Sequence, residues 1–175
     1  MIISAPAKIN RYLFILDRLP DGYHQILTMF EKISLFDHLH MEVKEAEAIN
    51  IQLKCPDWLS NSKDNLIYQA AQAFCEISGL SLSIKIEVEK NIPAGGGLGG
   101  GSSDAAATLT ALNKLTQEPL SRLELQAIGS RLGADIPFFV SDWSCAIGTG
   151  TGTQLEKVEH VSPNWYVLVF PEFSV

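Results

Sequence analysis

Apolar and polar residues alternate most regularly in residues 82–89, where every second side chain is apolar. This period of two predicts a half-buried β-strand. Other apolar stretches predict a largely buried strand at residues 9–16 and further strands at residues 24–34, 38–43, 50–55, 144–148, 154–158 and 165–170.

A period near 3.6 residues predicts three helices in the middle of the chain. Asp64 is predicted to cap the start of the first helix, which ends at Gly79. The second helix follows a glycine-rich segment. Ser121 and Glu124 have the spacing of a capping box for the third helix, which ends near Gly133. Strands at both ends with a central cluster of helices predict the α+β class.

The glycine-rich segment, residues 93–103, contains six of the 13 glycines of the chain. Such density suits a backbone that bends through positive φ or approaches a ligand closely. A glycine-rich turn that opens onto a helix directs free N–H groups and the positive end of the helix dipole at one spot, which favours a phosphate. A flexible linker is less consistent, because linkers favour Ser and other polar residues. We expect Gly95, Gly97 and Gly100 to be the positions that most need glycine.

Three common glycine-rich designs fit this segment poorly. The Walker loop needs a Lys directly after its last glycine, but Ser102 follows Gly101. The dinucleotide pattern G-x-G-x-x-G is formally present in residues 95–100, but residues 119–121 start another helix where its second strand should follow. The glycine loop of protein kinases joins two strands, whereas this one precedes a helix.

A fourth design fits better. Residues 93–104, Pro-Ala-Gly-Gly-Gly-Leu-Gly-Gly-Gly-Ser-Ser-Asp, resemble the second motif of the GHMP small-molecule kinases. Residues 5–10 (Ala-Pro-Ala-Lys-Ile-Asn) resemble an opening motif, residues 21–24 (Asp-Gly-Tyr-His) a substrate segment, and residues 133–139 (Gly-Ala-Asp-Ile-Pro-Phe-Phe) the segment with a catalytic Asp. The four motifs together resemble the branch of the family whose acceptor is a cytidine-diphosphate ester of methylerythritol.

The resemblance implies a GHMP kinase N-terminal domain, which is ribosomal protein S5 domain 2-like, over residues 1–175. It implies ATP-dependent phosphorylation of the 2-hydroxyl of that ester, in the non-mevalonate route to isoprenoid precursors, with ATP and Mg²⁺ as cofactors. The family has a C-terminal domain with a third glycine-rich motif. No such motif is present, so we expect an N-terminal fragment. Another small-alcohol kinase, of mevalonate or homoserine type, and a non-catalytic nucleotide-binding fragment remain alternatives.

Lys8 and Asp135 are the candidate catalytic residues. Asp135 lies in an apolar stretch, where a carboxylate costs free energy unless it is paired or functional. A turn or helix-capping Asp before Pro137, and a surface Lys, are the simpler interpretations of the residues alone. The resemblance implies instead that both act on the acceptor hydroxyl, with the Lys8 ammonium stabilising charge on the transferring phosphoryl group.

The candidate nucleotide-binding residues are the whole glycine-rich segment and one residue that the resemblance places beside adenine. We expect Ser102 and Ser103 at the helix N-cap, where a hydroxyl reaches a phosphate oxygen or Mg²⁺, or merely caps the helix. The complete set is Asn65, Pro93, Ala94, Gly95, Gly96, Gly97, Leu98, Gly99, Gly100, Gly101, Ser102 and Ser103.

Tyr23 and His24 are the candidate substrate-binding residues, together with Asn10. An aromatic ring stacks on a nucleobase, and an imidazole hydrogen-bonds its edge. From the residues alone, a partly buried turn aromatic and a solvated His are the favoured interpretation of the pair. The resemblance implies that they bind the cytosine of the substrate.

Composition excludes several other functions. The net charge of −7 and the absence of a basic stripe argue against a nucleic-acid partner. Three widely spaced cysteines indicate a reducing compartment, and the histidines have no metal-ligand spacing, so no metal site is predicted. Without a signal-like start or a long apolar run, we expect a cytoplasmic protein with no membrane partner. The sequence leaves a homodimer open.

Overall fold

The computed structural model describes residues 1–18, 22, 24–159 and 162–170, and these residues form a mixed sheet with four helices. The elements in chain order are β1 (Ile2–Arg18), β2 (His24–Glu45), β3 (Asn50–Lys54), α1 (Leu66–Ser78), β4 (Leu82–Glu89), α2 (Gly100–Leu115), α3 (Arg122–Leu132), α4 (Ile136–Val140), β5 (Cys145–Thr149) and β6 (Gln154–Lys157). The predicted α+β class is confirmed.

Strand β2 is the centre of the sheet. It pairs antiparallel with β1 along one edge, from Ile2 opposite His40 to Arg18 opposite His24. Its other edge pairs antiparallel with both β4 and β5. Strand β3 joins β4 in parallel, and β6 joins β5 as a hairpin. Every other strand is therefore placed, directly or through one neighbour, by the long strand β2.

The core lies between one face of the sheet and the helices. The alternation predicted for β4 is confirmed, since its four apolar side chains are buried and most of the side chains between them are exposed. They belong to one hydrophobic cluster with buried residues of β2, α1 and α2, including Leu39, Met41, Phe74, Leu109 and Leu112. Among the described residues, no helix is long and apolar enough to cross a membrane.

The N-terminal strands differ from the prediction in two ways. Residues 9–16 do form a strand, but Leu13, Phe14, Ile15 and Leu16 are each more than half exposed, because this end of the β1–β2 ladder lacks a covering helix. The two strands predicted at 24–34 and 38–43 are one strand with a bulge. Pro6 pairs with Phe36, whereas Ala7 pairs with Ile33, so two residues of β2 are left over.

Two smaller predictions were wrong, and one short helix was missed. Asn65, not Asp64, caps α1, with its side-chain oxygen 2.9 Å from the backbone nitrogen of Ile67. Residues 165–170 form no strand, because the extended segment 162–170 has no sheet partner and is exposed. The short helix α4 was not anticipated, because five residues are too few for a period to show. The capping box of Ser121 and Glu124 is confirmed.

Candidate functional site

The glycine-rich segment connects the end of β4 to the start of α2. Gly95, Gly97 and Gly99 have φ values of +77°, +68° and +71°, in the left-handed region that only glycine adopts easily. Gly95 and Gly97 are two of the three positions predicted to need glycine. The third position, Gly100, begins the helix, has no positive φ, and has little space for a side chain. A Cβ there would lie 3.0 Å from the side chain of Ile92.

Helix α2 starts without a side-chain cap. Gly99 is its N-cap residue, so the prediction that Ser102 and Ser103 lie at the N-cap was wrong, and both belong to the first turn. The first N–H groups of a helix have no intrahelical partner, and here no side chain replaces one. The buried Ser103 Oγ also has no hydrogen-bond partner among the described atoms. This helix start is therefore available to an anion.

A cavity of about 450 Å³ opens in front of this helix start. One wall is the glycine-rich segment from Pro93 to Ser102, and the opposite wall includes Trp58, Leu59, Asn65 and Leu66. The size and the mixed apolar and polar lining are typical of a small-molecule site. Asn65 lies in this wall, but its amide is already used, because it caps α1 and donates to the carbonyl of Ser60 at 2.6 Å.

Lys8 and Asp135 come together from distant parts of the chain. Lys8 Nζ lies 3.5 Å from Asp135 Oδ2 and donates to Asn10 Oδ1 at 2.7 Å. The Asn10 amide in turn donates to Thr28 Oγ1 at 2.7 Å. The Lys8 side chain is 7% exposed and the Asp135 side chain 31%. The ammonium is thus fixed by an amide network, and the carboxylate stays open to a ligand.

The short helix α4 presents Asp135. Asp135 occupies the N-cap position of α4, yet its carboxylate makes no capping hydrogen bond, so it is free to face Lys8. At the other end, Lys32 Nζ donates to the carbonyls of Phe139 and Ser141 at 3.3 and 2.6 Å. Burial lowers the pKa of Lys32 to about 8. Lys32 therefore anchors the helix that positions the carboxylate.

The same pair is attached to the glycine-rich segment. The backbone N–H of Lys8 donates to the carbonyl of Leu98 at 2.9 Å. A Cβ on Gly99 would lie 2.9 Å from the ring of Phe139 and 3.1 Å from Lys8 Cγ. Strand β1, the end of the loop and α4 thus meet at one point. Only glycine fits there.

Of the predicted substrate-binding residues, Asn10 contacts Lys8, whereas His24 lies far from it. Asn10 bonds Lys8 and lies opposite Phe30 on β2. His24 is exposed at the start of β2, opposite Arg18 and six residues from Phe30. At about 3.3 Å per residue this separation is about 20 Å along the strand. Tyr23 lies outside the described residues.

A buried ion cluster adjoins the cavity and was missed from sequence. Lys90 Nζ lies 2.7 Å from Asp104 Oδ2 and also contacts Asp37 Oδ2. Burial raises the pKa of Asp104 to about 7, with Lys90 lowering it and Asp37 raising it again. Burial alone would lower the pKa of Lys90, but the two carboxylates outweigh it and raise that pKa. The available signal was a charged residue at each end of an otherwise uncharged glycine-rich segment.

Comparison with known proteins agrees with this geometry. Residues 65–142 match the family described as GHMP kinases N terminal domain. The chain is 41% identical over 174 residues to the 4-diphosphocytidyl-2-C-methyl-D-erythritol kinase of Syntrophus aciditrophicus, and 43% identical over 175 residues to that of Pseudomonas syringae pv. syringae. These alignments cover 99% and 100% of this chain and 61% of each relative, so the chain spans about three fifths of their length.

Solved structures give the same fold. A crystal structure of 4-(cytidine 5'-diphospho)-2C-methyl-D-erythritol kinase superposes with a TM-score of 0.78 at 38% identity, covering 90% of this chain and 55% of that one. A mevalonate kinase superposes with a TM-score of 0.65 at 17% identity, covering 91% of this chain and 56% of that one, which supports the fold alone. Residues 65–142 thus match the N-terminal domain of GHMP kinases, and the described chain has the fold of that domain.

Replacing Gly99 by alanine tests whether the loop and the Lys8 site share one packing point. Gly99→Ala and Gly79→Ala both place a Cβ at a φ near +70°, at a cost of about 1–2 kcal/mol each. Only Gly99→Ala also meets Phe139 and Lys8, which adds an overpacking cost of about 1–3 kcal/mol. Denaturant unfolding should therefore show a larger decrease in the free energy of unfolding for Gly99→Ala than for Gly79→Ala. Equal decreases would contradict the close packing at Gly99.

Asp104 should make the stability of the protein depend on pH. Its pKa is about 7 in the folded protein but about 3.9 in an unfolded chain, so between these values the folded state binds more protons. The contribution of Asp104 to the free energy of unfolding should therefore fall as pH rises from about 4 to about 7. Asp104→Asn cannot titrate, so the stability of wild type relative to this variant should fall across that range. A constant difference would contradict the raised pKa.

Proposed function

We propose that this chain is the ATP-binding, N-terminal domain of a kinase that phosphorylates 4-diphosphocytidyl-2-C-methyl-D-erythritol at its 2-hydroxyl, a step of isoprenoid precursor biosynthesis. One observation carries the proposal: the Lys8–Asp135 pair lies directly beside the glycine-rich segment, because the Lys8 backbone N–H donates to the carbonyl of Leu98. The relatives named above, similar over the whole chain, support the choice of substrate.

The nucleotide would be held mainly by backbone groups. The left-handed glycines leave the loop without side chains toward the cavity, and the uncapped start of α2 offers N–H groups and its positive dipole end to the phosphates. The wall from Trp58 to Leu66 offers apolar surface to a base. ATP is the donor expected of a GHMP kinase, and the cavity is large enough to bind it.

Mg²⁺ would come with the nucleotide. The described residues contain no group of three or more His, Cys, Asp or Glu side chains that could hold a metal ion. Mg²⁺ is commonly bound by substrate phosphates, water and one or two carboxylates, so this is compatible with a site completed by ATP. Bound there, the ion would offset charge on the phosphates. We assign it no protein ligand.

Lys8 and Asp135 would act on the acceptor hydroxyl. Phosphoryl transfer needs an attacking oxygen in line with the γ-phosphate and positive charge near the transferring group. The partly exposed Asp135 carboxylate can accept the proton of a hydroxyl and orient its oxygen. The Lys8 ammonium, fixed by Asn10, lies where it can contact both that hydroxyl and a phosphoryl oxygen.

Cytosine would be bound at the far end of the β1–β2 hairpin. Tyr23 would stack on the base and His24 would hydrogen-bond its edge. The diphosphate and the methylerythritol would then extend along the hairpin toward Asn10 and Lys8. The exposed position of His24 leaves its ring accessible for such a contact.

Substitution of the catalytic pair tests the reaction. In the full-length protein, Asp135→Asn and Lys8→Ala should each lower kcat by about 100-fold or more, the effect expected of positioned acid–base and electrostatic groups. Asp142→Asn, which changes the carboxylate of an exposed ion pair with Arg122, is the matched control and should leave kcat unchanged. Steady-state kinetics with ATP and the cytidyl substrate give the answer. A kcat near that of wild type would remove the residue concerned from the mechanism.

Cytidine binding tests the choice of acceptor. Stacking on an aromatic ring contributes about 1–3 kcal/mol per base, so Tyr23→Ala should weaken CDP binding about ten-fold or more. Binding of ATP should not change, because the glycine-rich segment is a separate element. Calorimetry on the full-length protein measures both. If wild type binds no cytidine nucleotide but phosphorylates mevalonate or homoserine, the substrate is wrong and only the kinase assignment survives.

A further inference from the structure

The ends of the glycine-rich segment are joined by one buried ammonium group. Lys90 directly follows β4, just before the segment, and its Nζ contacts Asp37 on β2. The same Nζ lies 2.7 Å from Asp104, in the second turn of α2 beyond the segment. The side chains of Lys90, Asp37 and Asp104 are 6%, 0% and 1% exposed. We refer to these three residues as the loop clamp.

Asp37 also holds the backbone where the segment begins. Its Oδ1 accepts the N–H groups of Asn91 and Ile92 at 2.6 and 2.8 Å, while Oδ2 faces Lys90. One carboxylate from the central strand therefore fixes three consecutive residues. The path of the chain as it leaves β4 is set by this side chain.

The other end is held by close packing as well as by charge. A Cβ on Gly100, the first residue of α2, would lie 3.0 Å from Ile92 and 3.3 Å from Lys90 Nζ. The start of the helix thus lies directly on the two residues that Asp37 fixes. Asp104 then reaches back to the same ammonium. Between these points, residues 93–99 carry no polar side chain that could hold the loop by hydrogen bonds.

Burial of this cluster is costly. Removing charges from water costs several kcal/mol per ion, and a well-packed apolar replacement is often as stable or more so. The Oδ1 atom of Asp104 has no hydrogen-bond partner among the described atoms, which adds to that cost. A role in stability alone explains such an arrangement poorly. A role in fixing the geometry of the loop explains why the central strand, a helix and the residue that follows β4 all contribute to it.

We propose that Lys90, Asp37 and Asp104 are positioning residues, which hold the two ends of the glycine-rich segment at the separation needed to bind nucleotide phosphates. They act through the backbone of residues 91–100, not on the reacting groups. The proposal rests on the proposed function in one respect, since it takes the bound ligand to be ATP. The ordering of the loop does not depend on that ligand.

Asp104→Leu is the sharpest test. It removes the link to α2 with a side chain of similar size and leaves Lys90 paired with Asp37. We expect stability equal to or above that of wild type, amide hydrogen exchange at residues 95–101 at least ten-fold faster in the nucleotide-free protein, and ATP affinity at least ten-fold lower. The KM for the alcohol acceptor should change less than three-fold. If the cluster served stability alone, Asp104→Leu would lower the free energy of unfolding. Amide hydrogen exchange at residues 95–101 and ATP affinity would then stay equal to those of wild type.

Lys54→Met is the matched control, and Lys90→Met is the companion variant. Lys54, at the end of β3, donates to Glu87 on β4 at 2.6 Å, but this ion pair is exposed and shares no residue with the loop clamp. Lys54→Met should change neither amide hydrogen exchange at residues 95–101 nor ATP affinity. Lys90→Met should reproduce the loop effects of Asp104→Leu, with a loss of stability because two carboxylates are left buried.

The outcomes separate the two proposals. If amide hydrogen exchange at residues 95–101 is the same in Asp104→Leu as in wild type, the proposed role of the loop clamp is wrong, whatever ligand the protein binds. Faster exchange with ATP affinity equal to that of wild type also overturns it, because the loop would then be ordered for another purpose. If wild type itself binds no ATP, faster loop exchange still supports the clamp as an ordering device, and it is the proposed function that fails.

Discussion

The hydrogen bond between the backbone N–H of Lys8 and the carbonyl of Leu98 is the contact on which the site depends. It attaches β1 to the middle of the glycine-rich segment. Because the donor belongs to the same residue as the ammonium that faces Asp135, this bond keeps the backbone of Lys8 beside the loop.

What could be predicted from sequence was local. The alternation in β4, the capping box of Ser121 and the glycine-rich turn before α2 each depend on neighbours within a few residues, and all three are present. Lys8 and Asp135 were predicted from the resemblance to a family. Such a resemblance indicates which distant residues meet in the fold, whereas spacing along the chain does not. Asn65 replaced Asp64 as the cap because both residue types cap equally well, and only the path of the chain decides between adjacent candidates.

The features that escaped prediction are those set by distant partners. An apolar run such as residues 13–16 predicts burial, but whether a helix covers it is a property of the whole fold. The need for glycine at position 99 comes from Phe139, forty residues later, and the clamp joins residues 37, 90 and 104. Alternation and helical periodicity do not register such pairings, because each depends on sequence neighbours only.

The charges around the cavity show why the loop must be so well ordered. In the described structure Lys90 contacts two carboxylates and Lys8 faces Asp135, so both ammonium groups already have a carboxylate partner. In the proposed function, binding of the nucleotide phosphates therefore depends mainly on backbone N–H groups, whose partial charges act only over short distances and in the right direction. Small displacements of the loop would weaken all of those contacts together. A buried clamp and three left-handed glycines are what keep such N–H groups aimed at one point.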